Sequence, residues 1–295
     1  MSVRIAVAQY RIGEPPAFAA FLDRVATQVE AAVRGGARVV VLPEYLALEA
    51  AAALPPPLRG DFAASLHALQ PLRADYEALA AALARRHAIH LVAGTFLVAV
   101  GEGRYRNRAL LATPDGRLRF QDKLTLTGFE RAAGVIEAGD TLKVFDTDFG
   151  RIAIEVCYDS EFPLYARAQC EAGARLLLVP SCTDTDAGAN RVRIGCQARA
   201  LENQVHVACA VTAGEAPWSP ALDVNRGRAA VYTPVDRGFP SDGIAAIHDG
   251  DGDWVFADVD LDALEATRAQ GQVANAADWP SQARPAVARA VVERA

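Results

Sequence analysis

A pattern that occurs twice sets the strongest limit on how this chain can fold. "GGARVVVLPE" (35–44) and "EAGARLLLVPS" (171–181) each pass from a helix end through a Gly-Ala-Arg turn into an apolar run, then stop at Pro and a polar residue. An apolar run of this length without alternation reads as a strand covered on both faces. Helical spacing of apolar groups precedes each one, over 17–34 and about 162–172. Helix, tight turn and buried strand, met twice, suggest two similar halves of a layered α/β protein. The polar ends of both strands then lie at one sheet edge, where such proteins place their sites.

The remaining segments fit this frame. "VRIAVAQ" (3–9) reads as a first strand, and a helix over 74–87 leads into strands near 89–100 and 106–113. "TPDGR" (113–117) has the Pro-Asp-Gly chemistry of a turn and returns the chain through "LRFQDK". A second hairpin joins "LKVFDTDFG" to "RIAIEVC", and a long helix over about 187–203 precedes the strand "VHVACAV" (205–211). No low-complexity stretch divides the chain, so residues 1–270 are expected to form one domain of mixed-sheet α/β type. Residues 271–295 have weaker periodicity and read as a C-terminal arm or tail.

Composition removes several function classes. Of the 295 residues 52% are hydrophobic and 22% charged, which permits a large core. The net charge is −6 and the Arg residues are scattered, against the basic face that nucleic acid requires. No apolar run approaches the roughly 18 residues of a membrane span, and the N-terminus lacks the pattern of a secretory signal. Five Cys occur singly with no C-x-x-C pair, so neither a disulfide framework nor a zinc site is indicated. A cytoplasmic protein is the expectation. Only two of the 30 basic residues are Lys, Lys123 and Lys143. Each therefore draws interest, because Lys supplies a compact charge with a tunable pKa that Arg lacks.

Three reactive residues share one context, each closely following the end of a β run: Glu44 after "VVVLP", Lys123 after "LRFQD" and Cys157 after "IAIEV". A carboxylate there can serve as a base, a thiol beside it becomes a nucleophile, and an ammonium can hold an oxyanion. Each also has a plain reading: Cys157 as a small buried residue, Glu44 as a helix-start acid, Lys123 as a solvated loop residue. No GxSxG, P-loop or GxGxxG motif competes.

"VVVLPEY", "DKLTLTGFE" and "IEVCYDSEFP", in this order and spacing, resemble the three motifs of the nitrilase superfamily, the carbon–nitrogen hydrolases. "LLLVPS" (176–181) and "QARALENQVHVACA" (197–210) are similar to two further stretches of that family, so the resemblance covers about residues 3–260. It implies an α-β-β-α sandwich that pairs into a homodimer, cleaves the C–N bond of a small amide and needs no metal or organic cofactor; hydrolysis of a nitrile or an N-carbamoyl compound on the same scaffold, or small-molecule binding without catalysis, are the alternatives. It also implies that Cys157 is the nucleophile, Glu44 its base, and Lys123 with the Tyr158 N–H the oxyanion donors. Glu130 matches a second glutamate beside the lysine. Ser181, Cys182 and Thr183 follow a strand end and are expected to border the pocket. Arg191 and Arg193 are candidates for binding a substrate carboxylate, with structural ion pairs as their other reading. Two departures stand out: Leu164 replaces a Glu that the family often has after "CYDSEFP", and no Phe or Trp follows Pro180-Ser181.

Overall fold

The computed structural model describes residues 2–101 and 103–293. Strand β1 (Ser2–Arg11) buries Ile5, Ala6 and Val7 on both faces, and β2 (Val39–Leu42) is four inaccessible apolar residues in a row. Such strands must sit inside a layer with cover above and below. β1 pairs in parallel with β2, and β2 in parallel with β3 (His90–Gly101). β4 (Arg104–Ala112) and β5 (Leu118–Asp122) then continue the layer as an antiparallel meander, with the short β6 (Ile136–Glu137) beside β4.

The second layer repeats the plan. β7 (Val144–Thr147) and β8 (Gly150–Ile154) form the expected hairpin, and β8, β9 (Ala174–Ser181) and β10 (His206–Glu215) run in parallel. The short strands β11 (Val224–Asn225), β12 (Ala230–Tyr232) and β13 (Ile244–Ile247) finish it, and β14 (Trp254–Asp260) returns to the open edge of β1. Among the described residues the strands of the two layers pair only where the ends of β1 and β10 meet, from Gln9–Val211 to Arg11–Ala213. Elsewhere β2 and β3 pack face to face on β9 and β10.

Helices close the outer faces. The helix Phe18–Arg34 buries Phe21, Val25, Val29 and Ala32, one stripe at helical spacing, and packs beside the helix Arg73–His87 on the first layer. The helices Pro163–Glu171 and Asp186–Asn203 cover the second layer. The result is the α-β-β-α sandwich that the sequence implies. Among the described residues no helix is long and apolar enough to cross a membrane.

Three segments carry structure that the sequence did not announce. Residues 46–69 wind into a 3-10 segment, Leu46–Ala53, and two short helices, Pro56–Arg59 and Phe62–Leu69. β14 pairs with β1 along seven residues. The arm after residue 270 packs, over Val273–Trp279, on its own domain: Arg167 lies over the Trp279 ring and donates to the Ala276 carbonyl, and Gln204 donates to the Val273 carbonyl.

Strand directions decide where the site can be. β5 is antiparallel to β4, which is antiparallel to β3, so β5 ends at the same edge as β2 and β3. The segments that follow β2, β5, β8 and β9 therefore converge. One glycine makes the convergence possible. Gly94 interrupts β3 at a bulge with φ +64°, and a Cβ there would lie 2.4 Å from the Pro43 carbonyl oxygen. Only glycine allows that approach, which brings the Thr95 hydroxyl 2.8 Å from the Tyr45 N–H as its acceptor.

Candidate active site

Strand β8 ends at Ile154, three residues before Cys157, which starts the 3-10 turn Cys157–Glu161 with φ +50°. A left-handed conformation is uncommon for a residue with a Cβ. Among the described residues only Tyr45, Ala88, Cys157 and Gln204 adopt it without being glycine. Ala88 and Gln204 follow the last turns of helices, where it is an ordinary stop. Tyr45 and Cys157 end no helix, and both line one cavity. Backbone strain persists where surrounding structure over-determines it. Here the Ser160 hydroxyl donates to the Cys157 carbonyl at 2.6 Å, and Arg199 donates to the Ser160 carbonyl at 3.1 Å. Gly195 lets the helix Asp186–Asn203 press on the same turn, since a Cβ at 195 would sit 2.8 Å from the Ser160 oxygen.

The loop after β5 reaches the turn from the other layer. Its lysine is not a solvated surface residue. Lys123 is 1% exposed, with its ammonium 2.9 Å from Glu44 and 2.9 Å from Glu130. The Asn107 amide donates to both carboxylates, at 2.8 and 3.1 Å, and the Tyr45 hydroxyl donates to Glu130 at 2.9 Å. Glu130 also closes a capping box with Thr127, whose N–H donates to the carboxylate at 2.8 Å. The second oxygen of Glu44 accepts the Cys182 N–H at 3.0 Å. Two carboxylates and one ammonium thus share a buried space, each carboxylate held by neutral donors as well as by the cation.

Electrostatics shift each of these groups in a definite direction. Burial pushes the Glu44 carboxyl up, and Lys123 pulls it back only in part. Burial also acts on Glu130, but Lys123 and the Thr127 N–H outweigh it and hold that carboxyl below its usual range. Burial works against the Lys123 ammonium, yet the two glutamates keep its pKa well above normal. Burial and the nearby Glu44 charge push the Cys157 thiol well above its usual value. These directions set a thiol of raised pKa beside a carboxyl of raised basicity, the pairing that a proton transfer from sulfur to oxygen requires.

Around these groups lies a cavity of about 270 Å³ lined by Glu44, Lys123, Cys157 and Tyr158. Of the other expected residues, Cys182 and Thr183 line it too, while Ser181 is buried beneath and donates its hydroxyl to the Cys157 sulfur at 3.3 Å. Glu130 stands behind Lys123, 0% exposed. Arg191 lines the cavity, with its Nε 3.5 Å from Glu161. Arg193 does not belong to the site. It lines the neighbouring cavity, which shares Thr183 and Val192 with the first, and bonds to Asn190 and Gln197, because two residues along a helix turn a side chain to a different face.

Sequence reasoning missed Asn107, Tyr45 and Asp159. Thr127 was legible in principle, since "TGFE" carries the Thr-x-x-Glu signature of a helix start. Asn107 is a polar residue inside a strand, with no local signal of its partners. Asp159 ties the two loops together: its carboxylate accepts the N–H groups of Leu124 and Thr125, at 3.0 and 2.8 Å. Burial raises its pKa to about 7 against these bonds. An acid whose folded pKa is raised stabilises the fold below its unfolded pKa, near 4, and that contribution is lost as pH rises through about 7. Asp159→Asn should therefore gain stability relative to the parent as pH rises from 4 to 8. Melting temperatures of both proteins across that range check this, and a difference that does not change with pH would refute it.

Comparison with known proteins gives the family and the fold. The family model described as carbon-nitrogen hydrolase matches residues 4–280. The probable hydrolase YhcX of Bacillus subtilis is 34% identical over 272 residues, 92% of this chain and 52% of that protein, so the chain spans about half the length of this relative. Omega-amidase NIT2 of Danio rerio is 26% identical over 285 residues, covering 90% of this chain and 91% of that one. The crystal structure of Saccharomyces cerevisiae Nit3, a member of branch 10 of the nitrilase superfamily, superposes with a TM-score of 0.72 at 22% identity, covering 91% of this chain and 93% of the other, and has the same fold. With the family model spanning all but the ends of the chain, this protein belongs to the carbon–nitrogen hydrolase family.

Proposed function

We propose that the protein hydrolyses the C–N bond of a small amide through a thioester on Cys157. The observation that carries this reading is the single cavity wall on which a strained, nearly buried thiol, a carboxylate of raised pKa and a doubly paired ammonium come together. The omega-amidase name of one relative supports an amide as the substrate class. In this reading Glu44 takes the thiol proton as the sulfur attacks the carbonyl carbon. Lys123 and the Tyr158 N–H hold the developing oxyanion. The Tyr158 N–H stands in the first turn of a helical segment, where N–H groups lack partners within the helix. Glu44 then gives its proton to the leaving nitrogen as the C–N bond breaks, and next removes a proton from the water that attacks the thioester. The acid leaves and the proton returns to sulfur. Glu130 keeps Lys123 charged and in place.

Ammonia or amine release from a panel of small amides, with nitriles and carbamoyl compounds alongside, tests the reading. Release confined to amides is the expected result, and no release from any amide would sink it. We also propose a homodimer, for which the exposed apolar side chains Leu164, Ile194 and Leu201 on the helices of the second layer are the support. A monomer mass in sedimentation would refute that. Five unpaired cysteines fit a reducing compartment, and the cytoplasm is the proposed location, readable by cell fractionation.

A further inference from the structure

The charges around the cavity are not balanced, and each cation in its wall is already engaged. At the base, Lys123 is bound between Glu44 and Glu130. Nearer solvent, the one guanidinium in the lining, Arg191, lies 3.5 Å from Glu161. Asp184, in the link after β9, and Asp223, in the segment before β11, line the same cavity and are exposed. Neither has an ion-pair partner among the described residues. The outer lining therefore sets three carboxylates against one guanidinium, and the cluster at the base adds a further negative charge. The lining also includes the apolar side chains of Phe129, Val192 and Val224. Arg193, the other cation considered for a substrate carboxylate, faces a different cavity.

We infer that the cavity selects an amide whose far end carries a positive charge, an alkylammonium joined to the carboxamide by a short apolar chain. The inference rests on the hydrolase reading of this cavity and adds the charge of its substrate. A concave wall of one sign raises the local concentration of the opposite ion. The amide would lie at Cys157, the methylene chain along Phe129 and Val192, and the ammonium between Asp184 and Asp223. A terminal carboxylate in the same pose would meet two unpaired carboxylates, and Arg191 could reach it only by leaving Glu161.

Three amides of similar length separate the possibilities: δ-aminovaleramide, hexanamide and glutaramate, which are cationic, neutral and anionic. Calorimetric binding to Cys157→Ala protein should favour the cationic amide over the anionic one by about 100-fold, about tenfold for each interacting charge. The preference should shrink as salt rises from 0.05 to about 0.5 M, because the Debye length shortens. In the variant Asp184→Asn with Asp223→Asn, the ratio of cationic to neutral affinity should fall about tenfold or more. The salt series on protein with both aspartates intact keeps the test valid if that variant folds poorly. Equal binding of all three amides, tighter binding of glutaramate, or no binding of any overturns the inference. Wild-type protein that binds the cationic amide but releases no ammonia from any of the three upholds the charge preference and overturns the hydrolase reading instead.

Discussion

Cys157→Ala is expected to bring amide turnover down to background, a loss of at least ~10⁴-fold, while the protein stays folded. The size of the loss follows from the neighbourhood. Cys182 also lines the cavity, but its thiol cannot take over, because burial and then the Glu44 charge push it up to about 12. Its thiol donates to the Asn225 side chain, and it is its backbone N–H that meets Glu44. The substitution keeps a Cβ and removes only the sulfur, so the left-handed turn and the bonds that fix it, from Ser160 and Arg199, remain. Ammonia release at saturating amide, with a melting curve as the folding control, reads the outcome. Activity within tenfold of the parent in a folded variant would place the chemistry elsewhere.

Lys123→Met is expected to cost both stability and activity. It removes the one cation between Glu44 and Glu130, which are 1% and 0% exposed. Breaking a buried ion pair by deleting one partner costs about 3–5 kcal/mol, because the remaining charge is left unpaired. Two carboxylates cannot both stay ionised so close together without the ammonium, so one of them takes up a proton and its folded pKa rises further. A group with a raised folded pKa adds stability below its unfolded value, near 4, and loses it as pH rises through the folded value. The stability deficit of the variant should therefore be larger at pH 8 than at pH 5. On the proposed mechanism activity should fall about 10²–10³-fold, from loss of the proposed oxyanion donor in addition to the effect on the proposed base. Denaturant unfolding at the two pH values and turnover at one check both parts. A deficit of equal size at both pH values would show that the lysine does not neutralise the pair. Lys123→Arg should not rescue activity, since a planar fork cannot take the place of a compact ammonium between two carboxylates.

The layered fold was readable because its signals are local. "GGARVVVLPE" and "EAGARLLLVPS" hold the helix stop, the buried strand and the polar end within about ten residues each, and β2 and β9 follow them closely. The helices Arg73–His87 and Asp186–Asn203 carry enough turns for their pattern to dominate. Residues 46–69 gave no such signal, since they are rich in Ala, Leu and Pro without alternation or helical spacing. Packing against β3, more than propensity, gives this region its turns. The pairing of β14 with β1 was also out of reach. It joins residues about 250 apart, and pairing over that distance depends on what the rest of the sheet leaves open.

The site divides in the same way. Glu44, Lys123 and Cys157 stood out in the sequence because each closely follows a strand, and strand ends are legible. What the sequence could not supply is the set of groups that make them reactive. Asn107 acts through two carboxylates 63 and 23 residues away. Asp159 binds N–H groups 34 and 35 residues away, and Tyr45 reaches Glu130 across 85 residues. None of these partners is implied by a neighbour in the chain. Arg191 and Arg193, two residues apart and alike in sequence, were separated only by the turn of their helix. By itself the sequence determined which strands are buried, where they end and which reactive side chains stand at those ends. The tertiary structure alone decided which of those ends meet, which charges are paired and which remain open to a ligand, because pairing and burial are properties of distance in space, and distance along the chain does not encode them.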